Sequence, residues 1–201
     1  MALPPKIVMA TGNPGKIREI AALLAPLGAE IVAQSEFGVS SADETGDSFE
    51  ANALIKARHA AEATGLPAIA DDSGLCVDAL DGRPGVHSAR YAGEGATDAM
   101  NVDKLLQALD GVDDRGAGFQ CVALFVEPGD GRMVSAHGEW RGSILTERGG
   151  EGGFGYDPVF LDPDSGRASA ELTPEEKNAR SHRGQALREL ALLLEALYAT
   201  G

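Results

Sequence analysis

The first seventy residues alternate between short apolar runs and amphipathic stretches, and this alternation restricts the fold more than any other feature of the chain. Lys6–Ala10 (KIVMA) is a short apolar run that reads as a strand. Thr11-Gly12-Asn13 ends it, and Asn13-Pro14 supplies an N-cap and a first-turn proline for a helix. Ile17, Ile20, Ala21, Leu24 and Leu27 share one face, which predicts a helix to about Leu27 with Gly28 as its stop. Glu30–Ala33 reads as a second strand. A polar stretch, Ser40 to Asp47, leads into a second helix from about Ser48 to Thr64. Pro67–Ala70 reads as a third strand, ending on Asp71-Asp72-Ser73-Gly74. A β-α-β-α-β order points to an α/β fold.

The remainder modifies that architecture. Gly82, Pro84 and Gly85 mark a loop, and Thr97–Leu109 reads as a third helix. Phe119–Glu127 and Met133–Trp140 read as antiparallel strands joined by Pro128-Gly129-Asp130-Gly131, so the sheet is expected to be mixed. Glycine crowds Gly149 to Gly155, and Val159–Leu161 is a short strand. Thr173 and Glu176 stand at capping-box spacing. A last helix from about Ser181 to Ala199 carries Leu187, Leu190, Leu194 and Leu197 on one stripe. No internal repeat or linker interrupts the chain, so residues 1–201 are expected to form one domain.

Composition decides which partners are admissible. At 43% hydrophobic, the chain is too apolar to stay disordered, and 201 residues suffice to bury a core without staples. Its net charge of −14 excludes a polymeric nucleic acid as main partner, because gripping a phosphate backbone needs a basic surface. An anionic membrane surface is excluded for the same reason. A small phosphorylated ligand stays admissible, since a few local cations or a divalent ion can offset the global repulsion. Cys76 and Cys121 show neither a CxxC spacing nor a disulfide framework, as expected of a reduced, cytoplasmic protein. No signal peptide or membrane-length apolar run is expected. The 26 glycines are about twice the average share, so their positions matter.

Five stretches carry residue types suited to chemistry. Thr11-Gly12-Asn13-Pro14-Gly15-Lys16 lies where a strand hands over to a helix, whose free N–H groups and partial positive charge favour phosphate. Two residues separate its glycines and Ile17 follows its lysine, so it is not a Walker A loop; the local alternative is an ordinary capped helix start. Asp71-Asp72-Ser73-Gly74 places carboxylates at a strand end, where α/β folds bind ligands and where oxygen donors suit Mg2+. Its alternative is an Asx turn. Asp43-Glu44-Thr45-Gly46, followed by Glu50, Asn52 and Lys56, offers a second carboxylate and a lysine, or else a solvated acidic face.

The fourth stretch, Gly149 to Pro158, contains a formal GxGxxG, but no β-α-β unit follows, so a dinucleotide loop is rejected. Phe154 and Tyr156 beside Asp157 suit the stacking and edge-reading of a flat base; the alternative is a surface loop with its aromatics pinned to the core. The fifth, Lys177 with Ser181-His182-Arg183-Gly184, offers donors for keto or phosphate oxygens, or else a surface-exposed pair. His59, His87 and His137 have no metal-ligand spacing, and Trp140 reads as core.

Taken in order, Thr11–Lys16, Glu44-Thr45-Gly46, Ala70–Gly74, Gly85-Val86-His87-Ser88-Ala89-Arg90-Tyr91, Phe154–Pro158 and Ser181–Arg183 closely resemble the inosine triphosphate pyrophosphatase family. The resemblance spans Ile7 to about Leu190. It implies hydrolysis of non-standard purine nucleoside triphosphates (dITP, ITP, XTP, dXTP) to the monophosphate and pyrophosphate, assisted by Mg2+. By resemblance, Thr11, Gly12, Asn13, Pro14, Gly15 and Lys16 form the triphosphate loop. Lys56, placed to face the same cleft, is expected to help hold the phosphate chain. Asp72 matches the proton acceptor and a Mg2+ ligand, and Glu44 or Asp43 the other acidic metal region. Ser73 matches a substrate contact. Phe154, Gly155, Tyr156, Asp157, Lys177, His182 and Arg183 match nucleotide- and base-binding positions. The resemblance also implies a mixed sheet flanked by helices, two lobes with a cleft between them, and a homodimer. Two rival readings stay open: a pyrophosphatase for other modified nucleotides, and a nucleotide-binding module without catalysis.

Overall fold

Seven strands form a mixed sheet in a computed structural model, which describes residues 3–129 and 131–199 and leaves out the side chains of residues 14, 18, 19 and 27. The strands are β1 (Lys6–Met9), β2 (Glu30–Ala33), β3 (Ala68–Val77), β4 (Gly116–Val126), β5 (Met133–Ile144), β6 (Phe160–Asp162) and β7 (Arg167–Ala168). Their order in the sheet is β2-β1-β3-β4-β5-β6-β7. β1 pairs parallel with β2 and β3, whereas β6 pairs antiparallel with β5 and β7. The helices are α1 (Pro14–Leu24), α2 (Phe49–Thr64), α3 (Asp98–Ala108), α4 (Pro174–Arg180) and α5 (His182–Ala199).

Local chemistry sets most of the boundaries. Asn13, Ser48, Thr97 and Thr173 each cap a helix with a side-chain oxygen, occupying N–H groups that the first turn leaves unpaired. α1 stops at Leu24, three residues before the expected end, and a 3-10 turn over Ala25–Leu27 follows. Pro26 explains the early stop, because it has no N–H to bond back into the helix and its ring crowds the preceding turn. Gly28, at φ 71°, closes the turn in the left-handed region, as its position predicts.

β3 departs most from expectation. The strand does not end at Asp71-Asp72-Ser73-Gly74 but runs through it to Val77, and no Asx turn forms. Both aspartates are buried and turn their side chains to cations instead of to the local backbone. β4 and β5 are also longer than their apolar cores suggest. Glu127 N–H donates to Arg132 O at 2.8 Å across their connection; Asp130 of the expected turn lies outside the described residues. β7 has only two residues and left no apolar pattern to read.

Two compact units divide the chain: Met1–Asp72, Cys121–Gly138 and Arg183–Gly201 in the first, and Ser73–Gln120 and Glu139–His182 in the second. In the first unit β1 has no solvent face. Ile7 and Met9 pack with Ile20, Leu24 and the α5 stripe Leu187, Leu190 and Leu194. Val8 and Ala10 face the other way, onto Ala53, Ala57, Ala60 and Ala61 of α2. Alternate residues of a strand point to opposite faces, so one short run serves two cores. The alanine face of α2 brings that helix close to the strands, which positions its polar first turn. The second unit has its own core of Leu75, Leu105, Trp140, Phe160 and their neighbours, in which Trp140 Nε1 donates to Asp162 at 3.1 Å.

Candidate active site

Two adjacent residues of β3 organise the polar centre of the first unit. Strand alternation sends Asp71 and Asp72 to opposite faces. Asp71 is 1% exposed, and its Oδ2 meets Lys16 Nζ at 3.0 Å and Arg183 Nε at 3.1 Å. Its Oδ1 is buried with no hydrogen-bond partner among the described residues. Burial pushes the Asp71 carboxyl up, but Lys16, then Arg183 and Lys56, outweigh it and hold the group well below the usual carboxylate range. Cys121 Sγ lies 4.0 Å from Asp71 Oδ2. Burial, then the Asp71 charge, pushes its thiol up to about 12, which leaves it unreactive.

Asp72 has the opposite character. Its Oδ1 lies 2.8 Å from Lys56 Nζ, and its Oδ2 accepts from Asn52 Nδ2 at 3.3 Å. Lys56 Nζ also lies 2.9 Å from Glu44 Oε1, so one ammonium joins two carboxylates. Burial raises the Asp72 pKa and Glu44 adds to the rise, against the opposing pull of Lys56 and Lys16. Burial alone would lower the Lys56 pKa, but Asp72, Asp71 and Glu44 together raise it. Asp43 next door is exposed, and Thr45 N–H donates to its backbone oxygen.

At the start of α1, Thr11 Oγ1 accepts from Asn13 N–H at 3.2 Å. Asn13 Oδ1 accepts from Gly15 N–H at 2.8 Å and Lys16 N–H at 3.2 Å. Those two donors are thus engaged by the cap rather than left open to a ligand. A Cβ on Gly12 would lie 3.9 Å from Ser41 Oγ, an ordinary contact, so crowding does not explain this glycine. Pro14 opens the helix, and its side chain lies outside the described residues.

In the second unit the organising residue is Asp157. Its Oδ2 accepts from Phe154 N–H at 2.8 Å and Lys177 Nζ at 2.7 Å, and its Oδ1 from Ser169 Oγ at 3.0 Å. Lys177 Nζ lies 4.5 Å from the centroid of the half-buried Phe154 ring, a cation–π distance. Gly155, at φ 62°, donates its N–H to Asp98 Oδ2 at 2.7 Å. His182 is buried and stacks on Phe119, with centroids 4.8 Å apart and planes 10° from parallel. Ser73 is half-buried.

The Ham1 family matches residues 7–192 of the chain. The chain belongs to this family. It is 58% identical over 195 residues to the dITP/XTP pyrophosphatase of Pectobacterium atrosepticum, covering 96% of this chain and 98% of that protein. Against the dITP/XTP pyrophosphatase of Escherichia coli O157:H7 it is 57% identical with the same coverage. Among solved structures it superposes on a HAM1 protein from Coxiella burnetii with a TM-score of 0.88 at 50% identity, covering 95% of this chain and 98% of that one. The Staphylococcus aureus Ham1 protein superposes with a TM-score of 0.86 at 41% identity and the same coverage. A mixed sheet flanked by helices is therefore the Ham1 fold, as the resemblance implied.

Several residues of this Ham1 chain stand differently from their local sequence reading. Of the two readings of Tyr156 the pinned one holds: its ring joins the core of the second unit and its hydroxyl donates to Ser88 O at 2.8 Å. His182 and Arg183 are buried rather than surface donors, and Arg183 is joined to Asp71. Asn52, wholly buried, takes a larger part than its local reading as one of a polar helix face. Its spacing from Lys56 was the available signal, because positions i and i+4 share a helix face. The pairing of Asp71 with Arg183 left no local signal, since 112 positions separate the two.

Proposed function

We propose that this chain hydrolyses non-standard purine nucleoside triphosphates, dITP, ITP, XTP and dXTP, to the monophosphate and pyrophosphate. The observation that carries the chemistry is the gathering of Glu44 and Asp72 on one half-buried ammonium, 2.9 and 2.8 Å from Lys56 Nζ. The names of the curated relatives, dITP/XTP pyrophosphatases at 56–58% identity, support the substrate class.

The donor set suits Mg2+. The two carboxylates already share one cation, the Lys56 ammonium, so their oxygens converge on a point where positive charge is favourable. Mg2+ is commonly held by one or two carboxylates together with waters and substrate phosphates, and two carboxylates are what converge here. Asp72 and Glu44 would hold the ion, with Asp43 as the exposed alternative to Glu44. Once bound, it would offset charge on the phosphate oxygens.

Asp72 accepts the proton of the attacking water. The water oxygen bonds to the α-phosphorus, the bond from that phosphorus to the bridging oxygen breaks, and pyrophosphate leaves. The upward shift of Asp72 moves it toward the range where a general base works, while Lys56 and Asn52 keep it an acceptor. Lys16, Lys56 and the Thr11–Lys16 turn bind the phosphate chain, and Ser73 contacts the substrate. For the base, we assign stacking to Phe154 and donation to Lys177 and His182, with Gly155, Tyr156, Asp157 and Arg183 shaping their surroundings. A 6-keto purine offers these donors an acceptor, whereas adenine offers a 6-amino donor, and a site built on such bonds rejects the mismatch strongly. The same reading carries a homodimer and a cytoplasmic setting; no described helix is long and apolar enough to cross a membrane.

The test is product analysis with dITP and Mg2+. Pyrophosphate, with dATP cleaved far more slowly, is the expected result. Release of orthophosphate, or equal rates on dITP and dATP, refutes the reading.

A further inference from the structure

We propose that Asn52 is a positioning residue for this reaction: its carboxamide ties the Asp72 carboxylate to the segment that carries Glu44. The inference rests on the hydrolytic reading above for its kinetic consequence, but its geometry stands independently. Asn52 lies in the first turn of α2, one turn before Lys56, and none of it is exposed. The two side chains reach Asp72 from the same helix face, Asn52 Nδ2 on Oδ2 at 3.3 Å and Lys56 Nζ on Oδ1 at 2.8 Å. Both oxygens of the proton acceptor are thereby held.

The other end of the carboxamide reaches back along the chain. Asn52 Oδ1 accepts from Gly46 N–H at 2.8 Å. A backbone N–H can only donate, so this bond fixes which end of the amide is oxygen and turns the NH2 group toward Asp72. Gly46 is pressed against the helix: a Cβ there would lie 2.7 Å from Ala51 Cβ and 2.8 Å from Asn52 Oδ1. Two residues earlier, Glu44 sends its carboxylate onto Lys56. The helix does not need Asn52 as a cap, because Ser48 Oγ already accepts from Ala51 N–H at 3.1 Å. The carboxamide instead sets the spacing between two carboxylates carried by separate segments.

Three substitutions test this. Asn52→Asp keeps an oxygen for Gly46 N–H but sets a carboxylate against Asp72. Asn52→Ala removes both bonds, and Gly46→Ala pushes the segment away while Asn52 stays intact. In dITP hydrolysis each should lower kcat by about 10-fold or more, the usual loss when a partner of a metal-ligating group is removed. KM should change by less than about threefold, which separates positioning from substrate binding. Hydrogen exchange at Gly46 should accelerate in Asn52→Ala and stay slow in Asn52→Asp, so the kinetic loss in the latter comes from Asp72 rather than from a loosened segment. A folded Asn52→Asp or Gly46→Ala variant with wild-type kcat overturns the proposal. If the unaltered protein fails to cleave dITP, the functional reading falls, and Mn2+ binding without nucleotide, followed by electron paramagnetic resonance, decides this one. Weaker binding by about 10-fold in Asn52→Ala upholds it, and unchanged binding overturns it.

Discussion

Each unit is organised by a buried aspartate paired with a lysine, yet the two pairs differ in kind. In the second unit Asp157 is saturated: a backbone N–H, an ammonium and a hydroxyl meet its two oxygens. In the first unit Lys56 is divided between Asp72 and Glu44, and the neighbouring Asp71 keeps one buried oxygen without a partner. A carboxylate with donors on both oxygens fixes the positions of those donors. In the first unit one ammonium serves two carboxylates, so negative charge exceeds the positive charge between them and a further cation is favoured there. The same ion-pair chemistry thus gives scaffolding in one unit and reactivity in the other.

That contrast breaks most visibly at Asp72. Replacing it with Asn should lower kcat on dITP by roughly 1,000-fold, the scale of losing a general base, with little change in thermal midpoint. A variant that keeps a tenth of the wild-type rate would move the base elsewhere.

Asp71→Asn should act on stability instead. It leaves Lys16 and Arg183 without their shared counter-charge, and breaking a buried pair in this way costs about 3–5 kcal/mol. Urea denaturation at neutral pH measures it. The pH dependence has a definite sign. The folded-state pKa of Asp71 lies below its unfolded value, so its contribution is fully present above about pH 4 and is lost as pH falls further. Wild-type stability should therefore fall more steeply than that of Asp71→Asn below that pH, and parallel curves would contradict the assignment.

Asp157→Asn should cost less, about 3 kcal/mol, because a single cation loses its partner. Its kinetic signature should be a higher KM for dITP with kcat nearly kept, opposite to Asp72→Asn. Gly153→Ala is the mildest probe of the same carboxylate. Gly153 sits at φ 75°, so the left-handed backbone alone should cost an alanine about 1–2 kcal/mol, and its Cβ would also press on Asp157 Oδ2. A neutral effect on the thermal midpoint would show that Asp157 yields easily, which a saturated carboxylate should not do.

What was legible in the sequence depended on how far the causes reach along the chain. Helix starts were readable because a cap acts over three residues, as Asn13, Ser48, Thr97 and Thr173 do. The Leu stripe of α5 was readable because helical periodicity is local. The continuation of β3 through Asp71 and Asp72 was not, since it depends on cations from Lys16, Lys56 and Arg183. Tyr156 showed the same limit, its fate being set by Ser88, 68 positions away. The polar motifs were recognisable as a set, but which atoms meet within them was a matter of tertiary structure.

The Asp71–Arg183 bond has a consequence for how the protein is made. A ribosome emits residues 73–182, which hold the whole second unit, before it emits Arg183 and the α5 stripe that complete the first. The nascent first unit therefore lacks both an apolar layer and half of the counter-charge for Asp71 until Arg183 and α5 have emerged. Of the two units, the one that opens earlier along the chain is completed later, and the second has its own core in hand while the first waits.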